Sequence, residues 1–151
     1  MLNIYYSMDL LLEYNKNYDK LIEPYIDYSC NFDEILYKIK LNLNIDLSKF
    51  KYDIVKRNTK KGFKMNYHRD NYLIRKIEGI NIFIPYDKVN LSKYSLLWYK
   101  NDEFKGGTLE FMTGNIIKPS TNMFIFFDSN DIHKVNIQTD GIRIVELYKF
   151  Y

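Results

Sequence analysis

A chain of 151 residues with 46% hydrophobic and 27% charged side chains has the composition of one ordinary globular domain, which excludes disorder and a membrane class. At that length folding buries about 68–70% of the unfolded chain's surface, enough for a core and an enclosed cavity. The net charge of +3 is mild, and its one dense basic cluster, Lys56, Arg57, Lys60, Lys61 and Lys64, reads first as a solvated loop and second as an anion-attracting patch.

The first residues carry no basic stretch, and Asp9 and Glu13 interrupt the apolar patch Leu10-Leu11-Leu12 before it could act as a signal sequence. No run of apolar residues is long enough to span a bilayer. The single cysteine, Cys30, has no intramolecular partner, which suits a reducing compartment. A soluble protein, cytoplasmic or otherwise intracellular and without a membrane partner, is expected.

No Gly/Ser-rich or Pro-rich linker divides the chain, so a single domain over 1–151 is expected, with residues 1–51 as helical support and 52–151 as a β core. Phe32, Ile35, Leu36 and Ile39 recur at helical spacing, and Asn31 with Glu34 forms a helix-starting pair. From residue 52 the pattern changes to short β-rich runs. Strands are predicted at 53–57, 65–68, 94–99, 108–112, 123–127, 133–138 and 142–150, punctuated by Gly106-Gly107, Thr113-Gly114, Pro119-Ser120 and Asp140-Gly141. The segment 80–86 is a candidate extra strand or lid. Even spacing without helical crossovers predicts a mainly β protein with flanking N-terminal helices, built as an antiparallel double-sheet jelly roll.

His68-Arg69-Asp70 places an imidazole and a carboxylate two residues apart, on one side of an extended segment. The only other histidine, His133, must reach them from a different strand. Two histidines and one carboxylate on one face of an octahedral ion leave open positions, the arrangement of non-haem iron(II) oxygenases. The plain alternative makes His68 a strand-end residue and His133 a core histidine donating to backbone.

The surrounding motifs resemble the 2-oxoglutarate/iron(II) dioxygenase superfamily, in its prolyl 4-hydroxylase-like branch, over roughly residues 56–151. They are Gly62-Phe63-Lys64 leading to His68-Arg69-Asp70, Tyr94-Ser95-Leu96-Leu97-Trp98-Tyr99-Lys100-Asn101, and Gly106-Gly107-Thr108-Leu109-Glu110-Phe111. Met123-Phe124-Ile125-Phe126-Phe127-Asp128-Ser129, Asp131-Ile132-His133-Lys134-Val135 and Asp140-Gly141-Ile142-Arg143 complete the series. The resemblance implies a cupin-like double-stranded β-helix and Fe(II) held by His68, Asp70 and His133. It further implies 2-oxoglutarate and O₂ as co-substrates, with ascorbate as a candidate accessory, and no catalytic side chain beyond the metal ligands. Arg143 would bind the far carboxylate of 2-oxoglutarate. Tyr99 would be a second ligand for it, or else a buried tyrosine satisfying its own hydroxyl.

The implied activity is hydroxylation of a C–H bond, with a peptidyl residue such as proline as first substrate choice. A nucleic-acid base demethylase is the runner-up, although that branch's second arginine and its asparagine fall here on Lys149 and Val145. A non-catalytic jelly-roll binding module is the third reading. Two departures bear on the substrate: Thr59 stands where prolyl hydroxylases tend to carry a tyrosine, and the interval from Asp70 to Ser95 is long.

A guanidinium fork suits a carboxylate, so the register between His133 and Arg143 matters. A three-residue loop Thr139-Asp140-Gly141, with Gly141 left-handed, would pair Gln138 with Ile142 and Ile137 with Arg143. His133, Val135, Ile137, Arg143, Val145 and Leu147 would then share one face, with about 13–14 Å along the strand between His133 and the position opposite Arg143.

Overall fold

The computed structural model describes residues 22–78, 80–85 and 92–151. The expectations for residues 1–13, and Tyr86 of the candidate segment 80–86, lie outside the described residues.

Asn31 caps helix α1 (Phe32–Leu43) as expected, its side chain accepting from the backbone N–H of Asp33 and Glu34 at 2.8 and 3.3 Å. Ser29 completes the start: its hydroxyl accepts from Asn31 N–H at 3.0 Å and lies 3.1 Å from Glu34 Oε2. The helix ends at Asn44 in the left-handed region, whose N–H donates to Lys40 O. Its apolar stripe, led by fully buried Ile35 and Ile39, faces a sheet. The N-terminal third also supplies a strand, β1 (Tyr25–Tyr28), whose short Tyr-Ile-Asp-Tyr run is an edge strand whose partner lies far along the chain.

Five strands form the larger antiparallel sheet in the order β1, β10 (Met123–Asp128), β6 (Tyr94–Tyr99), β13 (Arg143–Phe150) and β2 (Tyr52–Thr59). Side chains alternate across it. Leu96, Trp98, Phe124, Phe126, Tyr148 and Phe150 pack under α1, while Leu97, Tyr99, Ile125, Phe127, Val145 and Leu147 face the other way.

That other face meets a second antiparallel sheet, ordered β3 (Met65–His68), β11 (His133–Val135), β8 (Leu109–Phe111) and β9 (Ile116–Ile117). Leu109, Phe111 and Val135 close the inter-sheet core, with Phe111 edge-on to Phe127 at 5.2 Å. Two smaller ribbons complete the described strands: β4 (Tyr72–Ile77) with β5 (Ile80–Pro85), and β7 (Phe104–Gly106) with β12 (Gln138–Gly141). The protein is mainly β, and no helix among the described residues is long and apolar enough to cross a membrane.

The predicted run 133–138 is corrected. It divides into β11 in the second sheet and β12, which pairs with β7 through Gln138↔Gly106 and Gly141↔Phe104. Residues 139–141 are therefore strand rather than hairpin loop, and Arg143 opposes Thr59 of β2 instead of Ile137. The expected shared face fails at Ile137, which is 54% exposed. The physical reason is that β11 and β13 belong to different sheets, so the chain crosses between layers at 136–142 instead of folding back on itself. Gly141 is left-handed as expected, φ 79°, but a Cβ there would lie 2.3 Å from Glu103 O, so close approach of β7 also requires glycine.

Candidate metal centre

The strand β3 carries one extra residue against β11: His133 opposes His68, yet Val135 opposes Met65. Such a bulge re-aims side chains at the end of a strand. His68 stands at the last position of β3, and Asp70 follows in a turn fixed by its N–H donating to Ser129 O at 3.2 Å. His133 opens β11 directly across from His68, the two rings 4.3 Å apart.

Both imidazoles are oriented by the same device. His68 Nδ1 lies 2.7 Å from Asn66 O, and His133 Nδ1 lies 2.8 Å from Asp131 O. A ring nitrogen facing a carbonyl must carry the proton, which leaves each Nε2 lone pair free when the ring is neutral. Those two Nε2 atoms converge on Asp70 Oδ1, at 3.4 Å from His68 and 3.0 Å from His133. All three residues are buried, and one ligand atom from each lies within 4.8 Å of the others. The second carboxylate oxygen, Asp70 Oδ2, is buried with no hydrogen-bond partner.

The electrostatics are those of a closely coupled cluster. Burial pushes Asp70 up, but the facing His133 and His68 outweigh it and hold the carboxyl well below its usual range. Burial likewise disfavours the charged His133, yet Asp70 prevails and raises its pKa. The donor set of two imidazoles and one carboxylate, with one carboxylate oxygen left without a partner, fits a first-row metal ion, which these three residues would hold.

Arg143 and Tyr99, which the sequence suggested as co-substrate ligands, lie together in the same inter-sheet layer. The guanidinium carbon of Arg143 is 5.4 Å from the Tyr99 ring and 5.8 Å from the Phe63 ring. Arg143 is 2% exposed, and among the described residues no carboxylate pairs with it. Its Nε and the fully buried Tyr99 hydroxyl both lack a hydrogen-bond partner. Burial raises the Tyr99 phenol, and the Arg143 charge only partly opposes that shift. The layer is continuous with the triad: His133 packs on Phe127 and Phe111 at 4.8 and 5.7 Å, and those rings share a core cluster with Tyr99 and Val145.

No family model matches the sequence, and no curated protein matches it. Solved structures do. A viral collagen prolyl hydroxylase from Paramecium Bursaria Chlorella virus-1, in a 2-oxoglutarate complex, aligns over 94% of this chain and 87% of its own, with a TM-score of 0.56 at 18% identity. The chain has the fold of the 2-oxoglutarate/iron(II) oxygenases. A prolyl 4-hydroxylase from Pseudomonas putida gives a TM-score of 0.54 at 14% identity, over 94% of this chain and 83% of that one. An oxidoreductase of the 2OG-Fe(II) oxygenase family from Burkholderia pseudomallei gives 0.52 at 13% identity. The match covers 76% of this chain and 49% of that one, so the chain spans about half that protein's length.

Two residues near Arg143 had no role in the sequence reading. Gln138 is fully buried although it stands in a run predicted as an ordinary strand end, and Thr59, noted only as a departure, is buried opposite Arg143. A lone glutamine in a polar stretch, Asn136-Ile137-Gln138-Thr139-Asp140, carries no local signal of burial. Only the crossing of β12 over β7 creates it.

Proposed function

We propose that this chain, as a single domain over 1–151, is an Fe(II)- and 2-oxoglutarate-dependent dioxygenase that hydroxylates a C–H bond on a peptidyl residue such as proline. The two facing sheets are then the larger and smaller sheets of a double-stranded β-helix. One observation carries the reading: an inter-sheet layer of a mainly apolar core holds a buried guanidinium with no carboxylate partner among the described residues, beside a buried His-Asp-His cluster with an orphaned carboxylate oxygen. Buried charges persist only when paired or liganded, so this arrangement calls for a cation at one end and an anion at the other. An apolar binding module has no physical need for either.

His68 Nε2, His133 Nε2 and the Asp70 carboxylate would hold the iron, and Arg143, with Tyr99, the far carboxylate of 2-oxoglutarate. When bound, iron and 2-oxoglutarate would supply the oxidative chemistry with O₂, yielding succinate, carbon dioxide and a hydroxylated product. The chain's own residues hold and orient. The two Nδ1–H bonds to Asn66 O and Asp131 O lock both rings, and the Asp70 N–H bond to Ser129 O sets the carboxylate. Phe111 and Phe127 against His133 keep water from that side of the centre.

A second reading, a nucleic-acid base as substrate, is favoured by exposed Lys60, Lys61 and Lys64 on the loop that leads into β3. The deciding experiment measures succinate formation from 2-oxoglutarate with Fe(II) against proline-containing peptides and methylated oligonucleotides. Peptide-stimulated turnover is expected. Stimulation by oligonucleotides alone would favour the second reading, and absence of any succinate, even uncoupled, would remove the oxygenase assignment.

A further inference from the structure

We propose that Gln138 is the positioning residue for Arg143, acting as a buried clasp that joins the backbone segments bordering its side chain. The inference rests on the reading of Arg143 as an anion-binding group. Besides the Tyr99 ring, four neighbours border that side chain. Thr59 is its cross-strand partner in β2, the Phe63 ring lies 5.8 Å from its guanidinium carbon, a Cβ on Gly107 would sit 3.3 Å from its Cδ, and Gly141 is two residues before it in the chain.

Residues 137 and 138 tie all four together. The Gln138 amide nitrogen donates to Thr59 O at 3.0 Å and to Gly141 O at 2.9 Å, while its amide oxygen accepts from the Thr59 hydroxyl at 2.8 Å. The Gln138 backbone N–H donates to Phe63 O at 2.9 Å, and its carbonyl accepts from Gly62 N–H at 2.8 Å. Gly107 N–H donates to Ile137 O at 3.2 Å. Gln138 is 0% exposed and its two side-chain bonds to Thr59 are buried, where geometry is held most firmly and a lost partner is felt most.

A glutamine present only to satisfy nearby backbone would affect folding and nothing else. A positioning glutamine should move the anion site while leaving the metal site alone. Gln138→Met keeps length and removes both donors and the acceptor; Thr59→Val removes one bond and leaves the amide in place. In the full chain, Gln138→Met should raise the KM for 2-oxoglutarate about tenfold, the low end of what outer supporting groups cost, with kcat and Mn²⁺ affinity little changed. Thr59→Val should raise that KM about threefold.

A second readout needs no co-substrate. The Nε–H of Arg143, identified in ¹H–¹⁵N spectra by its absence in Arg143→Lys, should exchange slowly in the wild type and quickly in Gln138→Met. A folded Gln138→Met with unchanged KM and an equally protected Nε–H would overturn the proposal; should that variant not fold, the same two readouts on Thr59→Val decide, unchanged values again overturning it. If Arg143→Lys itself leaves the KM unchanged, the anion-site reading fails, while the exchange rates still report whether Gln138 positions the side chain.

Discussion

The two faces of the five-stranded sheet are built from the same strands and share the same alternation, yet they bury different chemistry. Between α1 and the sheet lie Ile35, Ile39, Leu96, Phe124, Phe126, Tyr148 and Phe150, an apolar layer whose one orphaned polar atom among the described residues is the neutral Trp98 Nε1, with Lys100 stacked over that ring at 3.1 Å. The inter-sheet face is as apolar in its middle. Around it, though, stand Arg143, Tyr99 and the His68-Asp70-His133 cluster, with buried polar atoms lacking partners on Arg143, Tyr99 and Asp70. One face leaves a single neutral polar atom unpartnered among the described residues, whereas the other leaves charged groups so.

The sharpest way to break that contrast is to remove a member of the triad. His133→Ala or Asp70→Ala should abolish succinate formation and stoichiometric iron binding, measured by metal analysis of the purified protein, because two remaining donors no longer cap one face of the ion. Mn²⁺ added to the wild type should raise Tm, as any ligand of the folded state does, and the rise should vanish in both variants. Full iron occupancy and turnover in His133→Ala would sink the site.

On the helix-backed face the expected effect is large but purely on stability. Phe126 is fully buried between Tyr94 and the α1 layer, so Phe126→Ala should cost about 3–5 kcal/mol in urea unfolding. The KM for 2-oxoglutarate should stay put at temperatures where the variant is folded. A changed KM would mean that the two faces are coupled through the sheet rather than independent.

How much of this was legible in the sequence follows the range of the interactions. His68 and Asp70 were readable as a pair two residues apart, although the structure joins them through a turn after β3 and not along an extended segment, and His133 because no other histidine exists to complete the set. The positions of β6, β10 and β13 were readable as short β-rich runs set off by turn residues. Opaque were the bulge that gives β3 its extra residue, the pairing of β12 with β7, and the burial of Gln138, since each depends on which sheet a segment joins and not on its own residues. Arg143 reached the inter-sheet layer as the sequence suggested, but by a crossover between sheets instead of the hairpin register predicted for it.

Within the inter-sheet face, Arg143 separates charge from geometry. Arg143→Lys keeps a cation but loses the planar fork, so the KM for 2-oxoglutarate should rise more than kcat falls, by about 1.5–3 kcal/mol or roughly ten- to a hundredfold. Arg143→Ala should lose at least as much affinity. An unchanged affinity for 2-oxoglutarate in Arg143→Ala would leave the buried guanidinium without an anion and reduce the protein to a metal-binding β sandwich.

The smallest expected effect, from Tyr99→Phe, distinguishes the two roles the sequence left open for that residue. Were Tyr99 a core tyrosine satisfying its hydroxyl, removing the oxygen would break a bond and cost stability. In the structure that hydroxyl is buried without a partner in hydrogen-bonding geometry, and the adjacent Arg143 opposes the upward shift that burial gives the phenol. Deleting an unpaired buried oxygen removes a desolvation cost, so the ligand-free protein should be as stable as wild type or slightly more so in urea. If the phenol donates to the co-substrate, the same change should raise the KM for 2-oxoglutarate by about 0.5–1.5 kcal/mol, roughly two- to tenfold. The two measurements must therefore move in opposite directions, stability level or up and affinity down. Lost stability with unchanged affinity would assign Tyr99 to the core and leave Arg143 to hold the carboxylate alone.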